Sequence, residues 1–378
     1  FYIPYTECVQ KGVLLMGKHI FYLDNLRTFI IFLGILCLAA GSFLPAPFMP
    51  PHYVFAGQQG TIVPFYYLFY EFAMALVIPV LFFLSGYFSA SNLRIRLLQP
   101  YFRGRWLRLG WPLLFAIIIM MPEIAWISTR STGYSAGFFT FLTQRFLGRG
   151  VTLGVYGFLA VLLLFTLLLM GAKKINHQAL RHAEQSSPSP LFLILFAGAH
   201  LILSLVVYFG LLGLSPQGLS SIQAFFAGLG FQPSWLITAA LYFLLGIYAA
   251  KHRWFIPGGY VPGSVWMIAA IGFCVLYNVF PYYHVVILAF LSLSGTLGLI
   301  AAFARWGDQS SQPLLTLSHM AYPVWYLSEP VLENIMYFLL PLTIAAPLKL
   351  ILALGLTLFY GYFVYKYALC HLGCFKTR

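Results

Sequence analysis

Apolar residues occur along this chain in runs of about 20, and short clusters of glycine, proline and charged residues separate the runs. A helix rises about 1.5 Å per residue, so about 20 apolar residues cross the hydrocarbon core of a bilayer. We therefore predict an all-α fold, a polytopic integral membrane helix bundle of about ten transmembrane helices. The predicted spans cover residues 28–44, 62–88, 107–127, 151–172, 190–212, 234–250, 264–281, 284–304, 318–340 and 346–368.

The composition agrees with this pattern. Hydrophobic residues make up 61% of the 378 positions and charged residues 8%, whereas soluble domains carry about 25% charged residues. No interval between the spans is long enough for a soluble domain, which predicts a single membrane domain over residues 16–378. Met16 stands just before the first span and resembles a start, so residues 1–15 are interpreted as an upstream extension or the remnant of a tag.

The net charge of +13 comes from 21 Lys and Arg residues in short segments between spans, and this scatter argues against nucleic-acid binding. Alternate segments hold 17 and four of these residues. Cytoplasmic segments carry the excess of positive charge. We therefore expect both termini in the cytoplasm and residence in the plasma (inner) membrane, with the lipid bilayer and other integral membrane proteins as partners. The five cysteines show no metal-ligand spacing, so we expect no metal.

Polar residues inside the predicted spans suggest functional sites, because a charge in the bilayer is costly. The ninth span is the richest, with five polar residues spaced by 3, 4, 3 and 4 positions on one helical face: His319, Tyr322, Tyr326, Glu329 and Glu333. Pro323 and Pro330 interrupt the same helix and free backbone carbonyls. We interpret this face as the wall of a hydrated cavity. The alternatives are a buried network that fixes helix packing, or a Glu333 side chain that reaches the outer surface.

Five motifs follow one another along the chain: residues 22–29 (YLDNLRTF), 81–88 (LFFLSGYF), 105–112 (RWLRLGWP), 231–250, which begins FQPSW and ends GIYAA, and 321–332 (AYPVWYLSEPVL). Together and in this order they resemble the membrane-bound acyltransferase type 3 family. The resemblance implies transfer of an acyl group, usually acetyl from acetyl-CoA, to a hydroxyl of a glycan, lipid or small acceptor. It extends over nearly the whole chain from Met16 onward.

The same resemblance implies histidines that this chain lacks. The family's base is a histidine ten residues after the first-span arginine, where this chain has Cys37 followed by Leu38. A histidine is also common before the late-span proline motif, where this chain has Ser328. A tryptophan-containing motif at the start of the fourth span is represented by residues 155–159 without tryptophan. The scaffold motifs are retained while the proton-transfer groups are absent.

Other residues remain as candidates for these roles. Arg27, Arg105 and Arg108 are retained and are expected to meet at a cytoplasmic mouth, where guanidinium groups suit the phosphates of CoA.

The candidate catalytic residues are Glu329 and Glu71, as a desolvated base, and Cys37, as a nucleophile. An apolar helix disfavours the reactive thiolate, so close helix packing is the simpler role for Cys37.

The sequence leaves three functions open. The first is a catalytically inactive acyltransferase-like protein that serves as a subunit or adaptor of a membrane complex and requires no cofactor. The second is an active O-acyltransferase with a rearranged site, which uses acetyl-CoA or another acyl-CoA. The third is a lipid or small-solute carrier that uses the predicted cavity.

Overall fold

The computed structural model describes residues 20–44, 63–147, 153–178, 180–213, 226 and 232–375. Residues 1–15, interpreted above as an upstream extension, lie outside the described residues. Ten principal helices follow one another in the described part of the chain. They are α1 Phe21–Gly41, α2 Val63–Ile95, α3 Leu98–Ser131, α4 Gly157–Ile175, α5 Pro190–Leu212, α6 Pro233–Lys251, α7 Val265–Val279, α8 His284–Trp306, α9 Gln312–Leu339 and α10 Ala346–Tyr367.

Each predicted span corresponds to one of these helices, so the prediction of an all-α polytopic membrane protein is confirmed. Eight of the described helices are long and apolar enough to cross a membrane. The other two are α7, which is an apolar helix of 15 residues, and α9, which carries the polar face. The boundary between α7 and α8 lies at a short 3-10 turn, Pro281–Tyr283, as the polar residues there predicted.

The tightest helix crossing lies between α2 and α6. A Cβ atom at Gly86 would stand 2.1 Å from the carbonyl oxygen of Phe243, and one at Gly246 would stand 2.1 Å from that of Phe83. Only glycine permits such an approach, which is the small-residue packing typical of membrane helices. The glycines of two of the five motifs therefore have a structural role at this crossing.

The helix α3 is the least regular of the ten. Its backbone changes to π-helical turns at Trp106–Gly110 and Ala116–Met120, with Pro112 between them. Such turns shift backbone carbonyls away from their usual helical donors. Helix α3 packs against α4 and α9. Helix α9 also packs against α1 and α10, and so it lies inside the bundle.

Candidate functional site

The polar face of α9 packs directly against α3. The hydroxyl of Tyr322 donates to the carbonyl oxygen of Arg108 at 2.8 Å, and the hydroxyl of Tyr326 donates to that of Pro112 at 2.8 Å. Proline has no N–H, so Pro112 cannot supply the helical hydrogen bond to the carbonyl four residues earlier, which is that of Arg108. Tyr322 therefore supplies a hydrogen bond to a carbonyl that Pro112 cannot serve.

A second proline, Pro330, also leaves a carbonyl without its helical donor, and a tyrosine from another segment supplies the hydrogen bond. Pro330 leaves the carbonyl of Tyr326 without its helical donor, and the hydroxyl of Tyr156 donates to that oxygen at 2.9 Å. Tyr156 is fully buried, and its hydroxyl also lies 3.1 Å from the sulfur of Met120 on α3. This tyrosine ends the 3-10 turn Gly154–Tyr156, which leads into α4. The site thus joins α3, α9 and this turn.

Glu329 lies at the centre of this arrangement. Its side chain is 1% exposed, and within the described residues neither carboxylate oxygen has a hydrogen-bond partner of normal geometry, although the backbone amide of Val155 faces the carboxylate. Gly154, with φ of +49°, lies beside it: a Cβ there would stand 3.4 Å from Glu329 Oε1 and 2.9 Å from the sulfur of Met121. A side chain at this position would press against Met121 and contact the carboxylate of Glu329, so glycine fits this close packing.

Two further acidic residues accompany Glu329. Glu333 is fully buried on the same face of α9. Glu123 of α3 accepts a hydrogen bond from the side-chain amide of Asn334, which also donates to the carbonyl of Pro330 at 2.8 Å. Glu329 and Glu123 therefore lie near each other at the α3–α9 contact, and Glu333 is buried on the same helix as Glu329.

The remaining residue of the predicted stripe is His319, which lies outside the buried part and is exposed. Tyr322 and Tyr326 pack through hydrogen bonds to α3, and Gly154 and Met121 pack beside Glu329. The hydrated cavity stays a prediction.

The positions of the expected histidines lie on neighbouring helices. Cys37 and Ser328 are 0% and 1% exposed. Ile35 of α1 packs against Met320 and Val324 of α9, and the two helices run in the same direction. Cys37 follows Ile35 by two residues, and Ser328 follows Val324 by four. With a rise of about 1.5 Å per residue, they lie at similar depth.

The hydroxyl of Ser328 donates to the carbonyl of Trp325 at 2.7 Å, within its own helix. The side chain of Ser328 is thereby held against its own backbone.

Glu71 lies elsewhere in the bundle. It is half-buried on α2 and lies near Tyr277 of α7, while its neighbour Phe72 packs against the same tyrosine with ring centroids 4.7 Å apart. Glu329 instead has Glu123 and Tyr156 as neighbours. The structure therefore assigns the two candidate bases to different surroundings.

The three arginines of the predicted mouth each make a local contact, through the side chain in Arg27 and Arg105 and through the backbone in Arg108. Arg27 is half-exposed and lies 3.6 Å from Asp24 of its own helix. Arg105 donates to the hydroxyl of Tyr101 at 3.0 Å and to that of Ser89 at 2.9 Å. The exposed Arg108 contributes its carbonyl to Tyr322, as described above. Their convergence on one anion stays a prediction.

Sequence reasoning did not identify Gly154, Tyr156 and Asn334 as members of the site. Tyr156 falls in the segment where the tryptophan motif was expected, and it precedes by 170 residues the carbonyl that it contacts. One signal was present in the sequence, because Pro330 follows Tyr326 by four residues and predicts an orphaned carbonyl. The sequence does not indicate which donor reaches that carbonyl.

The comparisons with known proteins give one match. A protein-family model described as "Acyltransferase domain", the acyltransferase 3 model, matches residues 20–366. No curated protein and no solved structure matches the chain significantly. The match begins at the residue before α1, ends within α10 and contains every residue of the site described above.

Proposed function

Since this chain belongs to the acyltransferase 3 family, we propose that it is a catalytically inactive relative that acts as a subunit or adaptor of a membrane complex. The observation that carries the proposal is the occupancy of the two histidine positions. Cys37 and Ser328 are both buried, and the serine hydroxyl is held by its own helix. Neither side chain is a proton acceptor at neutral pH.

The chemistry explains why this loss matters. Attack of a hydroxyl on a thioester requires removal of its proton in the transition state, and a positioned base contributes about 10²–10⁴-fold. Arg27, Arg105 and Arg108 carry no such function but retain positive charge for the phosphates of acyl-CoA. We therefore expect binding of acetyl-CoA without turnover.

The test compares acetyl-CoA hydrolysis and acetyl transfer by the purified protein in lipid nanodiscs. Wild type is expected to show no rate above protein-free nanodiscs. The matched variants return imidazoles to the family's positions. The single variants are Cys37→His, Leu38→His and Ser328→His, and the double variants combine Ser328→His with Cys37→His or with Leu38→His. Robust wild-type turnover would contradict the proposal.

A second candidate function is an O-acyltransferase with a rearranged site. The observation that favours it is the buried carboxylate of Glu329, which has no hydrogen-bond partner of normal geometry in the described chain and lies beside Gly154. In this reaction Glu329 accepts the proton of the acceptor hydroxyl, the oxygen forms a bond to the thioester carbon, and the C–S bond breaks. The CoA sulfur then takes the proton.

The two functions differ in one measurement. If wild type transfers acetyl groups, the rearranged enzyme is correct, and loss of transfer in Glu329→Gln or in Glu71→Gln identifies which of the two carboxyl groups is the base. The two variants probe different surroundings, because the half-buried Glu71 lies near Tyr277 and Glu329 lies near Tyr156. Loss of transfer in Cys37→Ser would instead identify the thiol as the nucleophile.

The subunit role requires a surface for another integral protein. Among the eight long apolar helices, α5 and α10 are the least buried: 17% and 22% of the residues in their most apolar stretches are buried. We expect the protein, extracted with its own lipids into polymer nanodiscs, to have a native mass larger than that of a single chain, with a second integral protein at fixed stoichiometry. A native mass of one chain would contradict the subunit role.

The orientation is proposed from charge, with both ends cytoplasmic in the plasma membrane. In a cysteine-free background, Ser187→Cys of the α4–α5 linker is expected to react only from the cytoplasmic side. Thr132→Cys, after α3, is expected to react only from outside. Reaction of both from one side would contradict the orientation.

A further inference from the structure

A cavity of about 260 Å³ lies at the end of α2, apart from the site on α9. We call it the Arg94 pocket. Arg94, His182 and Arg253 contribute its basic groups, and the remaining lining consists of Tyr87, Ser91, Ala250, Ile256 and Pro257. Three separate parts of the chain supply the basic groups: α2, the linker between α4 and α5, and the turn after α6.

The first pair of groups has a defined hydrogen bond. Nη1 of Arg94 lies 3.0 Å from Nδ1 of His182. A guanidinium group can only donate, so Nδ1 must accept, and the imidazole is neutral with its proton on Nε2. The linker is also attached to α6, because the N–H of Ala183 donates to the carbonyl of Lys251 at 3.1 Å. His182 is thereby held at the pocket.

The second arginine is placed by an unusual backbone. Arg253 and Phe255 have φ values of +55° and +64°, in the left-handed region that costs non-glycine residues free energy. Trp254 lies between them, is fully buried, and accepts a hydrogen bond on its carbonyl from the hydroxyl of Tyr87 at 3.0 Å. The buried tryptophan therefore holds the turn in place, while Arg253 lies exposed at the pocket wall.

The residues that the structure describes do not neutralise the positive charges of this pocket. Among the described residues, neither Arg94 nor Arg253 forms an ion pair with a carboxylate, whereas Arg27 pairs with Asp24. The two guanidinium groups are close enough to repel each other. A bound anion would relieve that repulsion through charge-assisted hydrogen bonds. The geometry therefore points to a ligand that is negative and rich in oxygen.

We propose that the Arg94 pocket binds a phosphate group. Two guanidinium groups match phosphate oxygens with paired N–H donors, better than they match a single chloride. Ile256, Pro257 and Ala250 add apolar surface for the group that the phosphate esterifies. The phosphate belongs either to the headgroup of an anionic phospholipid or to a soluble phosphate ester.

The experiment uses the full chain in two settings. In nanodiscs of phosphatidylcholine, binding of inorganic phosphate is measured by titration calorimetry. In detergent, retention of added phosphatidylglycerol is measured by native mass spectrometry. Both are repeated with Arg94→Gln and with Arg253→Asn, which removes the charge and keeps a residue type that tolerates the left-handed conformation. Arg96→Gln is the matched control, because this arginine follows Arg94 by two residues and does not line the pocket.

Each pocket variant is expected to weaken binding of the recognised source by about tenfold or more, since each loses charge-assisted hydrogen bonds. Arg96→Gln is expected to behave as wild type. An arginine-dependent effect on phosphatidylglycerol alone identifies the lipid source, and one on inorganic phosphate alone identifies the soluble source. Equal binding by wild type and both pocket variants, no binding of either probe, or an equal loss in Arg96→Gln would overturn the proposal. Thermal unfolding midpoints of all variants separate loss of binding from loss of fold.

Discussion

The hydrogen bond between Tyr156 and the carbonyl of Tyr326 gives the sharpest test of the site. Tyr156→Phe removes a hydroxyl that serves a carbonyl without a helical donor, because Pro330 follows four residues later. An unsatisfied buried group costs about 1–3 kcal/mol in soluble proteins. Hydrogen bonds between membrane helices average about 0.6 kcal/mol. We expect a loss of about 1 kcal/mol, which is about a fivefold change in the unfolding equilibrium constant.

The proline supplies the decisive partner variant. Pro330→Ala returns an N–H to the carbonyl of Tyr326, so the hydroxyl of Tyr156 is no longer the donor on which that carbonyl depends. In the Pro330→Ala background, Tyr156→Phe is therefore expected to cost less than it does in wild type. The difference between the two costs is the coupling free energy, and residues in direct contact show about 0.5–3 kcal/mol. Reversible unfolding in mixed detergent, followed by tryptophan fluorescence, measures all four proteins.

Tyr326→Phe is the matched control for this cycle. It also removes a tyrosine hydroxyl that donates to a backbone carbonyl, that of Pro112. The carbonyl of Pro112 already accepts the backbone N–H of Ala116, so it keeps a donor after the substitution. We expect a smaller loss of stability than for Tyr156→Phe. Equal costs of Tyr156→Phe with and without Pro330 would refute the reasoning that the orphaned carbonyl makes this hydrogen bond important.

Two further predictions concern the helix crossing and the Arg94 pocket. Gly86→Ala places a methyl group against the carbonyl of Phe243 and is expected to lower the unfolding free energy by about 1–3 kcal/mol. Gly104→Ala is the control, because Gly104 has open space around it, and this variant is expected to unfold like wild type. Thermal unfolding compares the two variants. Partial burial, Arg94 and Arg253 lower the pKa of His182 from 6.5, so stability falls as the pH drops through 6.5 and the imidazole gains a proton beside these guanidinium groups. Phosphatidylglycerol has a constant charge over this range, so the affinity of the protein for it is expected to rise from pH 7.5 to 5.5. His182→Gln is expected to remove this rise. A wild-type affinity that does not change with pH would contradict the assignment of His182 to the anion-binding pocket.

The positions of the helices could be predicted from sequence because the bilayer imposes a one-dimensional rule. A chain that crosses the hydrocarbon core must bury its backbone polar groups within helices, so the length of each apolar run determines a span. The predicted span 190–212 coincides with α5, and 346–368 differs from α10 by one residue. The polar face of α9 was also predicted, because its spacing is local to one helix. The family resemblance is confirmed by the match over residues 20–366.

The partners of that face were decided by the tertiary structure alone. Local spacing showed that Pro330 orphans the carbonyl of Tyr326, but its donor lies 170 residues earlier, and the carbonyl that Tyr322 reaches lies 214 residues before it. The space beside Glu329 exists because a glycine of another segment lies there with positive φ. Likewise, the basic groups of the Arg94 pocket come from three distant segments. Hydropathy identifies which segments enter the membrane, whereas helix packing determines which side chains meet there, because packing depends on contacts between residues far apart in the chain.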